Sequence, residues 1–346
     1  MNIHVFRSFS DPTEGPEGRQ CTTDRIKRIF DEAMLGFNQT KHIHSVTVRM
    51  SELASADVRI IADYVCKIKN VEGIVFDRCH LKDDSIDHII RLLRGSSIKT
   101  LWVGQNRFTE AGMARLIYAL SETNVTMLHL VRAWIGYLGS VAFEKVLPTS
   151  KLTRLRIERC KLCADDMYRI ITAAGNSTLL LLDLSYNYIG NCRNAKAIQY
   201  LLENNKSLRV LHLLDAGITN RGLGIFAPSI YKARNLLGLN LNSNKGISKA
   251  AIVDMLDVIG YHPTLEYIST HGTADCAPFT NWIITNIVQS RLSNWKKAHH
   301  MLNMVSARVV KRIGYKSPLS MLPIDLFRLL NKMIGEWIVT HGLNDV

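Results

Sequence analysis

Between Ile43 and Asp275 the apolar positions of this chain fall into one spacing, repeated nine times at intervals of about 27–29 residues: apolar-x-x-apolar-x-apolar-x-x-(Asn, Cys or small)-x-apolar. The clearest copy reads Leu179, Leu182, Leu184, Asn187, Ile189. Upstream of it stand Ile43-Val46-Val48-Ser51-Leu53, Val71-Ile74-Phe76-Cys79-Leu81, Ile98-Leu101-Val103-Asn106-Phe108, Val125-Leu128-Leu130-Ala133-Ile135 and Leu152-Leu155-Ile157-Cys160-Leu162. Downstream come Leu208-Leu211-Leu213-Ala216-Ile218 and Leu236-Leu239-Leu241-Asn244-Ile247, the latter with one extra residue at Lys245-Gly246. Leu265-Ile268-Thr270-Thr273-Asp275 is a degraded ninth copy, as expected of a terminal repeat.

Each copy predicts one strand, one turn and one helix. The apolar-x-apolar core has period two, so it is a short strand with one face inward. The Asn or Cys three residues on stands where the chain leaves the strand, and a side-chain amide there can bond backbone groups that the turn leaves unpaired. The remaining half has helical spacing; in Glu110–Leu120, Met113, Leu116, Ile117 and Leu120 share one side. Polar breakers such as Ser121-Glu122-Thr123-Asn124 and Gly175-Asn176-Ser177-Thr178 close the units. No single unit can bury its own apolar face, so neighbours must stack.

This strand–turn–helix period resembles leucine-rich repeat proteins of the ribonuclease-inhibitor type over roughly residues 41–275. The resemblance implies an α/β fold: a right-handed leucine-rich-repeat solenoid (horseshoe) with a parallel concave sheet, convex helices and helical caps at both ends. It divides the chain into 1–40, an N-terminal loop and capping helix; 41–275, the solenoid of about nine repeats; and 276–346, a basic helical C-terminal cap or adaptor domain. Residues 1–20, with Pro12, Gly15, Pro16 and Gly18, read as loop, and Thr23–Leu35 as an amphipathic helix with Ile26, Ile29, Phe30 and Ala33 as its apolar stripe.

Composition narrows the setting. Apolar residues make up 47% of 346, enough for one continuous core plus caps. No run of 18 apolar residues occurs and Met1–Gln20 lacks a signal-peptide core, so a soluble, cytoplasmic protein is expected. Seven scattered cysteines fit reduced thiols better than a disulfide framework. Four matches to the glycosylation sequon, the first at Asn38, then read as chance occurrences in polar turns. The net charge is +13, and Cys276–Val346 alone carries nine Lys or Arg against three Asp or Glu. Such a balance reads as solubility with a basic tail domain or, more sharply, as attraction to an acidic partner protein, an anionic membrane or nucleic acid. Nucleic acid is disfavoured, since no zinc-finger or RNA-binding aromatic signature accompanies the charge.

The tail is apolar enough to fold. Ser293 opens a helical pattern through Trp295, Ala298, Leu302, Val305, Val309 and Ile313, and Pro323 opens a second. A basic helix, a short loop, then Leu-Pro-x-x-Leu resembles a SOCS-box segment. That resemblance implies contact with elongin and cullin components of a ubiquitin ligase, with Leu302, Ser306 and Val310 at the elongin-binding core and Pro323 and Leu326 at the later motif. Met301 stands where that family has a small residue, and Ser306 where it has cysteine. Leu322–Leu326 also resembles the opening of an F-box, though only 23 residues follow Pro323. A plain helical cap is the other reading.

No catalytic, cofactor or metal motif is present. Cys160-Lys161-Leu162-Cys163 lacks the second pair a zinc site requires, and Cys160 occupies the turn position of the fifth repeat. Histidines 42/44 and 299/300 lack partners at ligand spacing, and no nucleophile elbow or phosphate loop occurs. The strand positions between the inward residues are more informative. Thr47, Val75, Trp102, His129, Arg156, Asp183, His212, Asn240 and Ser269 should line the inner face as one row. With their neighbours, repeats three to five gather Trp102, Arg107, His129, Arg132, Trp134, Arg154, Arg156 and Arg159, the residue types that dominate interface hot spots.

The expected function is therefore a non-enzymatic protein–protein interaction scaffold that binds a partner protein on its concave face. The tail raises the further expectation of a ubiquitin-ligase substrate receptor. Alternatives are a regulator of an enzyme by direct binding, of the inhibitor or GTPase-activating kind, or a peripheral membrane or nucleic-acid binder acting through the basic C-terminal helix. Inhibitors of basic ribonucleases should be acidic, and Ran GTPase-activating proteins usually carry an acidic tail; this chain is basic in both respects.

Overall fold

The structure is a computed structural model that describes residues 2–6, 18–37 and 44–273, apart from 69 and 261. The tail positions Leu302, Ser306, Val310, Pro323 and Leu326 lie outside the described residues. In chain order the elements are β1 (Asn2–Phe6), α1 (Gly18–Phe37), β2 (Ser45–Arg49), α2 (Ser55–Lys67), β3 (Gly73–Asp77), α3 (Ile86–Arg94), β4 (Thr100–Gly104), α4 (Glu110–Ala119) and β5 (Met127–Val131). They continue as α5 (Gly136–Val146), β6 (Arg154–Glu158), α6 (Ala164–Gly175), β7 (Leu181–Asp183), α7 (Cys192–Asn204), β8 (Val210–His212), α8 (Asn220–Ile230), β9 (Gly238–Asn240), α9 (Lys249–Ile259) and β10 (Tyr267–Ser269).

All ten strands form one open sheet in sequence order, and every neighbouring pair is parallel. The inward pairs of each repeat, from Val46 and Val48 to Leu239 and Leu241, are buried in a single apolar core with the helices' inner faces. Successive strands lie ~4.8 Å apart whereas packed helices need ~8–10 Å, so the stack bends with the sheet inside. Five helices, α4 and α6 to α9, start on capping side chains at equivalent positions: Thr109, Cys163, Asn191, Thr219 and Ser248 each accept a bond from the backbone N–H three residues on.

The turns hold one repeat to the next. Asn187 Oδ1 accepts from Cys160 N (2.9 Å), and its Nδ2 donates to Ile157 O (2.6 Å) and Leu184 O (3.1 Å). Asn106 and Asn244 make the same reach to Cys79 and Ala216 of the preceding repeats. Where cysteine stands instead, its thiol donates to the earlier strand: Cys79 Sγ to Val48 O at 3.2 Å and Cys160 Sγ to Leu130 O at 3.5 Å. Burial pushes both thiols up to about 12, which keeps them protonated donors. Even in the degraded ninth copy Thr273 Oγ1 donates to Leu241 O at 2.7 Å.

A second regularity accompanies the first. The residue just before the Asn/Cys position is left-handed in eight successive repeats: Met50, Arg78, Gln105, Arg132, Arg159, Tyr186, Asp215 and Ser243, with φ from 49° to 60°. This conformation turns each N–H towards a carbonyl of the next repeat, from Met50 N to Asp77 O (3.0 Å) through Ser243 N to His271 O (2.8 Å). The local strain is thus balanced by a backbone bond that carries the sheet's pairing around the bend.

The N-terminal segment differs from its expectation. Residues 1–20 read as loop, yet Asn2–Phe6 is a strand that pairs with β2 in register His4↔Thr47, and Ile3 is buried. The exposed edge of β2 supplies a template of unpaired N–H and C=O groups, which five residues can complete without any repeat signature of their own. Helix α1 begins at Gly18, earlier than Thr23, and buries Ile26 and Phe30; the Phe30 and Tyr64 rings stack at 5.0 Å.

Replacing Asn187 by Ala strands the Cys160 N–H and the Ile157 carbonyl in a dry turn. It should lower unfolding free energy by about 2–4 kcal/mol, measurable as a lower urea midpoint. Ser243→Gly, which relieves a left-handed residue, should be neutral or slightly stabilising in the same titration, whereas Ser243→Val should cost about 1–2 kcal/mol.

Candidate functional site

The register places Trp102, His129 and Arg156 side by side on adjacent strands, with Val75 and Asp183 flanking them in the same row. Trp102 and His129 contact one another, ring centroids 5.2 Å apart. The Arg49 guanidinium lies 5.7 Å from the Trp102 ring. The indole folds over Gly104, where a Cβ would fall 2.8 Å from Trp102 Nε1, so only glycine leaves room for that pose. Trp102 Nε1 and His129 Nδ1 are both buried without a hydrogen-bond partner among the described residues.

Arg156 is less free than its place in the sequence implied. Its Nε lies 3.7 Å from Asp183 Oδ2 and its Nη1 3.9 Å from Glu158 Oε1. Asp183 in turn meets His212 Nδ1 at 3.4 Å and accepts from Ser185 N at 3.1 Å. Burial alone would raise the Asp183 carboxyl; the contacts with His212 and Ser185 more than offset it and hold the group below its usual range. Glu158 is pushed up, first by burial and then by the Asp183 charge. His129 is held down to about 4 by burial and by the Arg156 and Arg154 charges, so it is neutral at physiological pH. Arg154 itself is exposed at the start of β6.

The other expected residues lie elsewhere. Arg132, Trp134 and Arg159 surround a hollow of about 1080 Å³ on the turn edge of repeats four to seven, together with Lys161, Tyr186 and Asp215. Arg107 is exposed on the turn of the third repeat and does not line it. Seven of the eight residues therefore divide between strand β6 or the strand-face row (Trp102, His129, Arg154, Arg156) and the turn-edge hollow (Arg132, Trp134, Arg159), and Arg107 belongs to neither. Lys161, Tyr186 and Asp215 were missed by the sequence reading. The signal that could have found them is the fixed offset from the Asn/Cys position, since Arg132, Arg159, Tyr186 and Asp215 are all the left-handed residue of their own repeat.

The paired cysteines have separate duties. Cys160 is buried in the turn clamp, whereas Cys163 caps α6 and its thiol donates to Asp166 Oδ2 at 2.9 Å. Among the described residues no helix is long and apolar enough to cross a membrane.

The nine-copy period, the parallel sheet with a helix after each of β2 to β9, and the Asn and Cys clamps settle the fold type. The chain has a leucine-rich-repeat fold and is similar to a ribonuclease inhibitor. It is 26% identical over 242 residues to a ribonuclease inhibitor of Sus scrofa, a match covering 59% of this chain and 53% of that protein. The chain thus spans about half the length of the curated relative it matches. No protein-family model matches. Among solved structures, the Rad7 and Elc1 complex in yeast is similar in fold, with a TM-score of 0.55 and 13% identity over 76% of this chain and 67% of that one. The TLR13–ssRNA13 complex is a more distant neighbour, with a TM-score of 0.38 and 16% identity over 71% and 35%.

Because His129 is charged more readily in the unfolded chain (about 6.5) than in the fold (about 4), its contribution to stability is present above pH 6.5. It is lost as pH falls through that window. Urea unfolding of wild type and His129→Phe should therefore show a steeper loss between pH 6.5 and 4.5 in the wild type.

Proposed function

We propose that this chain is a non-enzymatic scaffold that binds a partner protein across its strand face, centred on Trp102, His129 and Arg156. The observation that carries this reading is the half-buried Trp102–His129 pair beside a fixed charge row. The core is filled from the opposite side of the sheet and makes no use of these side chains. An aromatic pair next to an arginine held by carboxylates is a preorganised patch of hot-spot type. Ribonuclease-inhibitor similarity and the fold of Rad7, which is found in complex with Elc1, support protein binding as the general role.

The finer reading is that the strand face selects a substrate while the tail recruits ubiquitin-ligase components through Leu302, Ser306, Val310, Pro323 and Leu326. It rests on the tail's resemblance to a SOCS-box or F-box-like segment. Direct regulation of an enzyme by occlusion remains the second reading, favoured by the similarity to a ribonuclease inhibitor. A cytoplasmic location belongs to the same proposal, as the setting in which buried, unoxidised thiols at the turn clamp are maintained.

Affinity capture with the full chain, beside a form ending at Gln289, tests both levels. That residue closes the compact unit holding all the described residues. Trp102→Ala and Arg156→Ala should each weaken the main captured partner by about tenfold or more. Unchanged capture by both variants rules out the strand-face site. Elongin or cullin components should appear with the full chain and vanish on truncation; their absence from both preparations removes the adaptor reading.

A further inference from the structure

The turn-edge hollow has a composition that neither the fold nor the strand-face site accounts for. Its walls come from four consecutive repeats at equivalent positions: Arg132, Arg159, Tyr186 and Asp215 at the left-handed residue, Trp134 and Lys161 two residues later. Trp134 is 70% exposed, the most exposed large apolar side chain among the described residues. No core residue needs it there, and an indole in water is a standing free-energy cost.

The charges are equally unspent. Arg132, Arg159 and Lys161 form no ion pair with any described residue, whereas arginines on the helical side, such as Arg91, Arg115 and Arg193, are paired with Asp63, Asp87 and Asp165 of neighbouring repeats. The Arg159 guanidinium stacks on the Tyr186 ring, 4.1 Å from its centroid. That stacking fixes the plane of the fork and leaves its N–H edge available to a carboxylate. Arg132 is steadied from the other side by its bond to Gln105 Oε1 at 3.3 Å.

We propose that this hollow docks an acidic peptide segment of a partner protein, with an apolar side chain against Trp134 and carboxylates on Arg132, Arg159 and Lys161. A peptide is favoured over a nucleic acid by the anions around the cations. Asp215 stands in the wall itself, and Glu158 and Asp183 occupy the adjoining strand ends. A phosphate backbone carries charge at every step and would run onto those carboxylates. A peptide can alternate acidic with neutral residues and place each charge where a cation waits. The net charge of +13 draws such a segment in from a distance. The proposal rests on the protein-scaffold reading and adds to it a second, charge-selective subsite about the turn edge.

The test uses the full chain and fluorescence anisotropy with labelled peptides of Glu-Glu-Leu, Glu-Glu-Gly and Lys-Lys-Leu repeats, and with oligothymidylate. Glu-Glu-Leu should bind best. Arg159→Glu and Lys161→Glu should each weaken it about tenfold or more, and Trp134→Ala should reduce it to the level of Glu-Glu-Gly. Asp215→Asn, which keeps a side chain tolerant of the left-handed backbone, should tighten it several-fold. Circular dichroism of each variant should match wild type, since all four side chains are exposed.

No binding of Glu-Glu-Leu, binding unmoved by these four substitutions, or tighter oligothymidylate binding lost in the same variants would each overturn the proposal. If it fails while Trp102→Ala still loses the captured partner, the scaffold reading stands and only the hollow is excluded. If both sets of variants are silent, both readings fall.

Discussion

Every repeat has to satisfy the backbone groups freed where its strand bends into the turn, and it does so by bonding to its neighbours. The left-handed residue sends its N–H forward to the next repeat, while Asn106, Asn187 and Asn244, or the thiols of Cys79 and Cys160, reach backward to the previous one. A turn that is dry and hydrogen-bonded on both sides ties the sheet register of one repeat to that of the next. The alignment of Trp102 with His129 and of His129 with Arg156 depends on that register holding over three strands.

The same constraint separates what is structural from what is available for recognition. Inward strand positions, the Asn/Cys position and the helix faces are committed to the core. The intervening strand row and the left-handed residues lie outside that apolar core. These are the places where tryptophan, arginine and aspartate collect. The exposed inter-repeat ion pairs on the helical side, such as Arg91–Asp63, contribute little to stability individually, but they neutralise that surface. At the turn edge Arg132, Arg159 and Lys161 form no ion pair with any described residue.

Much of the fold was legible in the chain, for a physical reason. A one-dimensional stack repeats the same burial demand every 27–29 residues, so the signal for strand, turn and helix is written nine times and is not diluted by distant contacts. The strand-face row Thr47 through Ser269 followed from period two alone, and the structure places its members in one register. Strand β1 was not legible, because Asn2–Phe6 becomes a strand only through the open edge of β2. The sorting of the candidate residues was not legible either. Spacing put Arg132, Trp134 and Arg159 near Trp102, but the left-handed bend carries them off the strand face to the turn edge.

By itself, then, the sequence determined the architecture: the number of repeats, the inward positions, the clamp residues and the row that faces outward from the sheet. These depend on local periodicity and on stacking of like on like. Tertiary structure decided the electrostatics and the grouping. Asp183 pairs with Arg156 and meets His212, His129 is held neutral between two arginines, and Arg132, Arg159 and Lys161 form no ion pair among the described residues. Charges on different repeats interact according to distance and burial across the bend, and neither quantity is set until the turns have closed.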